Sequence, residues 1–139
     1  MDYLIEQGIK VDAIITDPPY AVTSYSWDQI IPFDQMWDKL SKLIKDDGAI
    51  VLFGNEPFSS SLRMSNPKFY RYDWKWIKTQ VTGFQNAKYQ PLRCYEDIMI
   101  FSKCGAVASA KPPMRYFPQG IIPVNLKVTT KPINYLGDK

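Results

Sequence analysis

Asp17, Pro18, Pro19 and Tyr20 follow an apolar run at residues 11–16, and their types suit a flat base with an exocyclic amine. The lone pair of such an amine is delocalised into the ring, so the nitrogen is a poor nucleophile. The Asp17 carboxylate can accept one N–H, and the Pro18 carbonyl can accept the other, since Pro19 has no competing N–H. Two adjacent acceptors would orient the nitrogen lone pair by positioning and preorganisation. The Tyr20 ring offers a face for a base flipped out of a duplex.

The simpler interpretation of these four residues is a turn that ends a strand, because Asp-Pro and Pro-Pro are also common in loops. Each proline fixes its own φ and restricts the residue before it, so Asp17 and Pro18 are both expected to be extended. The surrounding pattern favours a site over a turn, since the motif follows a strand and precedes a helix and a second strand.

Residues 11–16 are predicted to be a buried parallel strand, and residues 49–53 a second buried strand that ends at Gly54. Between them, apolar residues repeat at intervals of three and four from Pro32, which predicts a helix that Gly48 ends. Strand, helix and strand of these lengths form a βαβ unit. Ligands of such sheets bind at the carboxyl ends of the strands, where Asp17 and residues 54–56 both fall.

Residues 21–31 lack a period and are predicted to form a loop over this site. Trp27 and Asp28 are candidates to line a substrate pocket, although Trp27 could equally be a packing residue. Residues 57–65 are predicted to form a short helix that Asn66 and Pro67 end.

Residues 70–78 alternate in the manner of a half-buried strand, and residues 95–102 form another. The stretch 79–94 is too long for a simple hairpin turn and is interpreted as a nucleic-acid-facing loop, with mobility without function as the alternative.

Residues 1–67 carry ten acidic and five basic residues, whereas residues 68–139 carry four acidic and twelve basic residues. A basic, aromatic-rich half is typical of a nucleic-acid surface, although an ordinary solvated face is the simpler alternative.

The composition, 139 residues of which 45% are hydrophobic, predicts one globular domain. We expect a cytoplasmic protein with no membrane contact, because the chain shows neither a signal peptide nor a sufficiently long apolar run.

The two cysteines, Cys94 and Cys104, are expected to pack as small hydrophobes. With no histidine and no CxxC pair, no metal site is expected. The tail from residue 104 to 139 is proline-rich and is predicted to be an extended arm, with one strand-like piece at residues 121–124.

The stretch from about residue 4 to 103, with the Asp17–Tyr20 motif, Trp27-Asp28 and residues 48–54, resembles the DNA adenine-N6 and cytosine-N4 methyltransferases. Among these it is most similar to phage or restriction–modification enzymes of permuted order, in which the catalytic motif precedes the cofactor motif. The resemblance implies an α/β, Rossmann-like methyltransferase fold that uses S-adenosylmethionine. It assigns Asp17, Pro18, Pro19 and Tyr20 to the target base, and Asp17 also to the cofactor.

The resemblance further implies that residues 1–103 are a catalytic segment and that the tail can begin a target-recognition region. Phosphate contacts are expected from the basic residues of the aromatic-rich half, namely Lys75, Lys78, Lys88 and Arg93. Aspartate in the first motif position favours adenine, while cytosine N4 and RNA remain alternatives.

The sequence departs from the family in its glycines. The family has a glycine-rich strand–turn that holds the cofactor, whereas no two of the seven glycines here lie within five residues. We therefore expect a partial fold: a fragment, a truncated reading frame or half of a split enzyme, with an exposed apolar sheet edge. It should need a cofactor-binding segment, in cis or in trans. A DNA-binding remnant without chemistry is the alternative.

Overall fold

The computed structural model describes residues 1–21, 23, 25–26 and 28–123, which form a mixed sheet with helices packed against it. Trp27 and Val124 lie outside the described residues. No helix in the described part of the chain has the length and apolar character needed to span a bilayer. The elements in chain order are α1 (Asp2–Glu6), β1 (Val11–Thr16), α2 (Phe33–Leu43), β2 (Ile44–Gly54), α3 (Phe58–Ser65), β3 (Tyr70–Thr82) and β4 (Arg93–Phe101).

The sheet has the strand order β1-β2-β4-β3. The strands β1 and β2 are parallel, with Thr16 beside Leu52, and they flank α2 in the chain, so the predicted βαβ unit is confirmed. The strands β2 and β4 are antiparallel, and so are β3 and β4. The antiparallel pairs place Gly54 opposite Asp97, and Asp97 opposite Lys75.

The core lies between α2, α3 and one face of the sheet. Trp37 and Leu40 of α2 meet Phe58 and Leu62 of α3 over alternate strand residues. Those strand residues are Ile44, Ile50, Leu52, Met99 and Phe101. The alternation explains why α2 shows the predicted three-and-four spacing, since only one stripe of the helix meets the sheet.

The strand β1 has the predicted bounds but is not buried, so that part of the prediction is wrong. It is the edge strand of the sheet, and among the described residues it pairs only with β2. Ile14 packs against the core, whereas Ile15 points to the other face and is 69% exposed. An apolar residue is therefore exposed at this edge of the sheet.

The helix α2 ends at Leu43 rather than at Gly48, which corrects the predicted helix end. Ile44 already pairs with Val11 in the sheet, so strand pairing prevails over the helical pattern of residues 44–48. Gly48 instead lies inside β2, where a Cβ would come within 2.7 Å of the Asp12 carbonyl oxygen. Its function is to allow close approach of two strand backbones. The short helix α1 was not predicted.

The strands β3 and β4 form a hairpin that is longer than predicted. The strand β3 runs to Thr82 and β4 begins at Arg93, so the predicted loop at 79–94 shrinks to residues 83–92. A 3-10 turn at Phe84–Asn86 follows Gly83, whose positive φ of 86° suits a residue without a Cβ. The inner part of β3 is half-buried, as predicted, but most of its residues from Trp74 outward are exposed.

Part of the predicted extended tail packs against the sheet. Met114 is buried, and its N–H donates to the Gly105 carbonyl at 3.0 Å. The Arg115 side chain reaches Asp47 at 2.6 Å and Asp12 at 3.2 Å. Residues 121–123 form no strand, so the strand-like piece is not found among the described residues. Cys94 is exposed rather than packed as a hydrophobe, and Cys104 is half-buried.

Candidate active site

The motif Asp17–Tyr20 leaves the carboxyl end of β1, beside the end of β2. Asp17 is exposed, Pro18 is buried, and Pro19 and Tyr20 are partly buried. The Tyr20 hydroxyl donates a hydrogen bond to the Asp17 carboxylate, which closes the motif into a small ring. Burial and this hydrogen bond raise the pKa of Tyr20 above the ordinary tyrosine value. The hydroxyl therefore stays protonated and remains a donor.

The Tyr20 ring packs against Phe58 at the start of α3. Their ring centroids are 5.0 Å apart with planes inclined by 33°, and Phe33 lies 6.0 Å beyond Phe58. Phe58 belongs to the buried core, so Tyr20 is backed by rigid structure on that side. A base that stacks on Tyr20 has only the opposite ring face available. Sequence reasoning missed Phe58, whose sole signal was its position directly after Glu56-Pro57.

Asp28 lies beneath the loop that follows the motif and is only 6% exposed. Its Oδ1 accepts hydrogen bonds from the backbone N–H groups of Tyr20, at 3.0 Å, and Ala21, at 2.9 Å. Its Oδ2 accepts from the Thr23 N–H at 2.7 Å and the Thr23 hydroxyl at 2.8 Å. Asp28 thus binds the chain's own backbone, in contrast to the expectation that it lines a substrate pocket.

The carboxyl end of β2 adds Gly54, Asn55 and Glu56 to the same edge of the sheet. A Cβ on Gly54 would lie 2.6 Å from the Met99 methyl group, so the strand end is tightly packed. The Asn55 amide faces Glu96 of β4, with 3.5 Å between Nδ2 and Oε1. A carboxylate and an amide therefore stand at the strand ends near the motif.

Asp97 anchors the base of the β3–β4 hairpin and is only 1% exposed. Arg63 of α3 lies 3.0 Å from its Oδ2, and the Lys75 ammonium contacts its Oδ1. Burial alone would raise the pKa of Asp97, but Lys75 and Arg63 hold it below its ordinary value. Asp73 extends the network, with its Oδ2 2.6 Å from the Lys75 ammonium. The sequence offered no signal that these separated charges meet.

The hairpin arm, residues 76–95, projects past the carboxyl edge of the sheet. Gly54 is the last residue of β2 and shares a register row with Asp97 and Lys75, so the residues after Lys75 lie beyond that end. Trp76–Thr82 extends about 23 Å at about 3.3 Å per residue. The arm holds three basic residues and no acidic one. Phe84 is 75% and Tyr89 88% exposed.

The four candidate phosphate contacts fall into two groups. Lys75 is paired with Asp97 and Asp73, and Lys78 is paired with Glu96. No carboxylate among the described residues lies within ion-pair distance of Lys88 or Arg93, and both are exposed. The free positive charge of the hairpin arm is therefore concentrated towards its tip.

A cleft of about 340 Å³ lies beside the motif, between the end of β1 and α2. Asp17, Pro18 and Pro19 form one wall, and Met36 and Leu40 of α2 contribute to another. Its size is near the lower limit for small-molecule sites, which are typically apolar with a few polar groups. Lys39, which is paired with Asp2, also lines the cleft, so the charged side chains of the lining are one carboxylate and one ammonium among mostly apolar surface.

The open α/β sheet carries the candidate site at the carboxyl ends of its parallel strands, as in a partial Rossmann-like fold of the S-adenosylmethionine-dependent methyltransferase type. The described residues contain no glycine-rich turn after a strand.

Solved structures share this fold. A crystal structure of the M1.HpyAVI–SAM complex matches with a TM-score of 0.55 and 21% identity, over 73% of this chain and 49% of that chain. The crystal structure of M1.HpyAVI alone matches with a TM-score of 0.54 and 21% identity, over 73% and 50%. The chain thus spans about half the length of the chains it matches. The PvuII DNA methyltransferase (cytosine-N4-specific) matches with a TM-score of 0.46 and 15% identity, over 72% of this chain and 45% of that chain. No protein-family model and no curated protein matches the sequence.

Proposed function

We propose that this chain carries the target-base site of a DNA methyltransferase that acts on the exocyclic amine of adenine N6. The observation that supports this most directly is the joined Asp17–Tyr20 motif at the carboxyl edge of the sheet. The fold supports it as well, because ligands of open α/β sheets bind at this edge.

Asp17 and Pro18 are proposed to hold the amine. The Asp17 carboxylate accepts one N–H and the Pro18 carbonyl the other, so that the nitrogen lone pair points away from the base plane. Tyr20 stacks the flipped base on the ring face opposite Phe58, and such stacking contributes roughly 1–3 kcal/mol. The amine proton that is lost when nitrogen gains a methyl group passes to Asp17 or to water.

S-adenosylmethionine is the proposed cofactor, and when bound it supplies an electrophilic methyl group on a sulfonium. The cleft beside the motif fits the cationic part of this molecule at the Asp17 carboxylate, because the charge of Lys39, which also lines the cleft, is balanced by Asp2. Its volume of about 340 Å³ suits only a portion of the molecule. A further cofactor-binding segment, in cis or in trans, is therefore proposed to complete the site beyond the edge of β1.

The hairpin arm is proposed to contact DNA. It extends past the edge that holds the motif, and it combines exposed aromatic rings with unpaired basic side chains at Lys88 and Arg93. Lys75 and Lys78 are less available for phosphates, because carboxylates already neutralise them. Phosphate contacts of this kind give affinity without sequence information.

Two alternatives differ from this proposal in substrate or in chemistry. Methyl transfer to cytosine N4 uses the same acceptors, and only the adenine preference inferred for aspartate in the first motif position favours N6. A DNA-binding remnant would keep the arm but transfer no methyl group. Identification of the methylated base by mass spectrometry distinguishes adenine N6 from cytosine N4. Detection of any methyl transfer distinguishes an enzyme from a DNA-binding remnant.

The test combines cofactor titration with transfer. Two preparations are compared, the 139-residue chain and this chain coexpressed with its genomic flanking segments. S-adenosylmethionine is titrated calorimetrically into each, and methyl transfer to DNA is assayed with each. We expect micromolar binding and N6-methyladenine in at least the second preparation. Asp17→Ala should abolish most transfer, while Asp34→Ala, an exposed aspartate on α2, should not. Absence of transfer from both folded preparations, or full activity of Asp17→Ala, would contradict the proposal.

A further inference from the structure

We propose that Asp28 is a positioning residue, which holds the Asp17–Tyr20 motif in place by binding the backbone of the loop that follows it. Its Oδ1 accepts hydrogen bonds from the N–H groups of Tyr20 and Ala21, and its Oδ2 accepts from the N–H and the hydroxyl of Thr23. Because these donors include three backbone N–H groups, the carboxylate holds the backbone of the loop in place. This inference deepens the proposed function, because it explains how the base-binding site is held.

The two prolines make the Tyr20 N–H the critical anchor. Pro18 and Pro19 have no N–H, so Tyr20 carries the first backbone donor after Asp17. Asp17 is fixed at the other side by the end of β1. With β1 at one end and Asp28 at the other, the stiff Pro-Pro segment has both ends held. The Pro18 carbonyl, the second proposed acceptor, lies between these two anchors.

The backbone around Ala21 also needs this carboxylate. Ala21 has a φ of +56°, a conformation that residues with a Cβ rarely adopt. The consecutive N–H groups of Tyr20 and Ala21 converge on one carboxylate oxygen, in the manner of an anion-binding nest. Here the anion is a buried side chain of the same chain. Without it, the converging N–H groups would lose their acceptor and the left-handed residue would lose its support.

The closing experiment measures the loop directly, without reference to activity. Amide hydrogen exchange of Tyr20, Ala21 and Thr23 is followed by NMR in the 139-residue chain and in Asp28→Ala. The matched control is Asp34→Ala, which removes an exposed carboxylate. We expect exchange at the three amides to accelerate at least tenfold in Asp28→Ala and to be unchanged in the control. Formate, a small carboxylate that can enter the vacated space, should restore protection.

Two outcomes of the exchange experiment overturn the inference. One is unchanged exchange at the three amides in Asp28→Ala. The other is an equal acceleration at Ile50 and Leu52 of the central strand, which would mean that Asp28 stabilises the whole fold rather than the loop.

The transfer assay then tests the consequence for the site. In the active preparation, Asp28→Ala should lower kcat at least tenfold, leave KM for DNA within about twofold, and be partly rescued by formate. An unchanged kcat would overturn the positioning role. If the wild-type chain transfers no methyl group, the proposed function fails, while the exchange result decides separately whether Asp28 holds the loop.

Discussion

The Tyr20 hydroxyl is hydrogen-bonded to the Asp17 carboxylate, so the two ends of the motif hold each other across the Pro18–Pro19 segment. Because Tyr20 also packs on Phe58, the carboxylate is indirectly tied to the core. An amine that approaches Asp17 therefore meets a carboxylate with one oxygen already engaged. The ring and the carboxylate therefore form one hydrogen-bonded unit.

The first prediction concerns the pH dependence of this pair. The pKa of Tyr20 is raised in the folded chain, so above the ordinary value of 10.0 the unfolded state loses its proton first. The stability that the Tyr20 hydroxyl contributes is thus complete below pH 10.0 and declines as the pH rises. Urea unfolding should show that the difference in the free energy of unfolding between wild type and Tyr20→Phe becomes smaller between pH 10 and 11.5.

Tyr3→Phe is the control for this measurement, because Tyr3 is 70% exposed. Its stability difference from wild type should stay constant over the same range. A constant difference for Tyr20→Phe as well would show that the hydroxyl is not held by Asp17 in the folded chain.

The second prediction concerns Gly48. Gly48→Ala would place a Cβ 2.7 Å from the Asp12 carbonyl oxygen and 2.8 Å from the Ile44 Cδ1. Since the carbonyl belongs to the paired strand, the backbone must shift, and we expect a loss of about 1–3 kcal/mol in the free energy of unfolding. Gly54→Ala should cost less, because its close neighbours, Met99 and Ser59, are side-chain atoms. Urea denaturation measures both, and an equal or larger loss for Gly54→Ala would contradict this.

Gly48 also illustrates what sequence patterns can resolve. The strand bounds of β1 and the start of α2 were predictable, because local apolar spacing reflects which side faces the core. The end of α2 was not, since Ile44 fits a helical stripe and a strand equally well. Its pairing with Val11, thirty-three residues away in the chain, decides between them.

The parts of the candidate site also differ in how far the sequence alone predicts them. The position of Asp17–Tyr20 at a strand end follows from local order along the chain, and its chemistry follows from residue types. The partners of Asp28 and Asp97 depend on how loops and strands fold back in space. Neither the spacing nor the charge pattern indicated that Asp28 would accept hydrogen bonds from the backbone N–H groups of the loop, or that Asp97 would be buried between Arg63 and Lys75.

The third prediction concerns this buried carboxylate. At neutral pH, Asp97→Asn removes the charge that balances Arg63 and Lys75, and we expect a loss of about 1–3 kcal/mol. Because the pKa of Asp97 is lowered on folding, its contribution is present above the unfolded value of 3.8 and is lost as the pH falls. Urea titrations should therefore show a smaller difference in the free energy of unfolding between wild type and Asp97→Asn at pH 3 than at pH 7.

Asp34→Asn serves as the control for this variant, because Asp34 is exposed. It should differ little from wild type at either pH. If the deficit of Asp97→Asn persisted undiminished at pH 3, the depressed pKa of Asp97 would be refuted.

The last prediction separates the two groups of basic residues on the hairpin. Lys88→Gln and Arg93→Gln should each weaken DNA binding across all sequences and reduce the salt slope of log K by about 1, because each removes a proposed phosphate contact. Lys75→Gln should mainly lower the free energy of unfolding, since it removes one of the two cationic partners of the buried Asp97 and leaves only Arg63. Fluorescence anisotropy with a labelled duplex at several salt concentrations measures the binding, with Lys68→Gln, an exposed site outside the arm, as the control. Equal slopes for all four variants would place the DNA away from the hairpin arm.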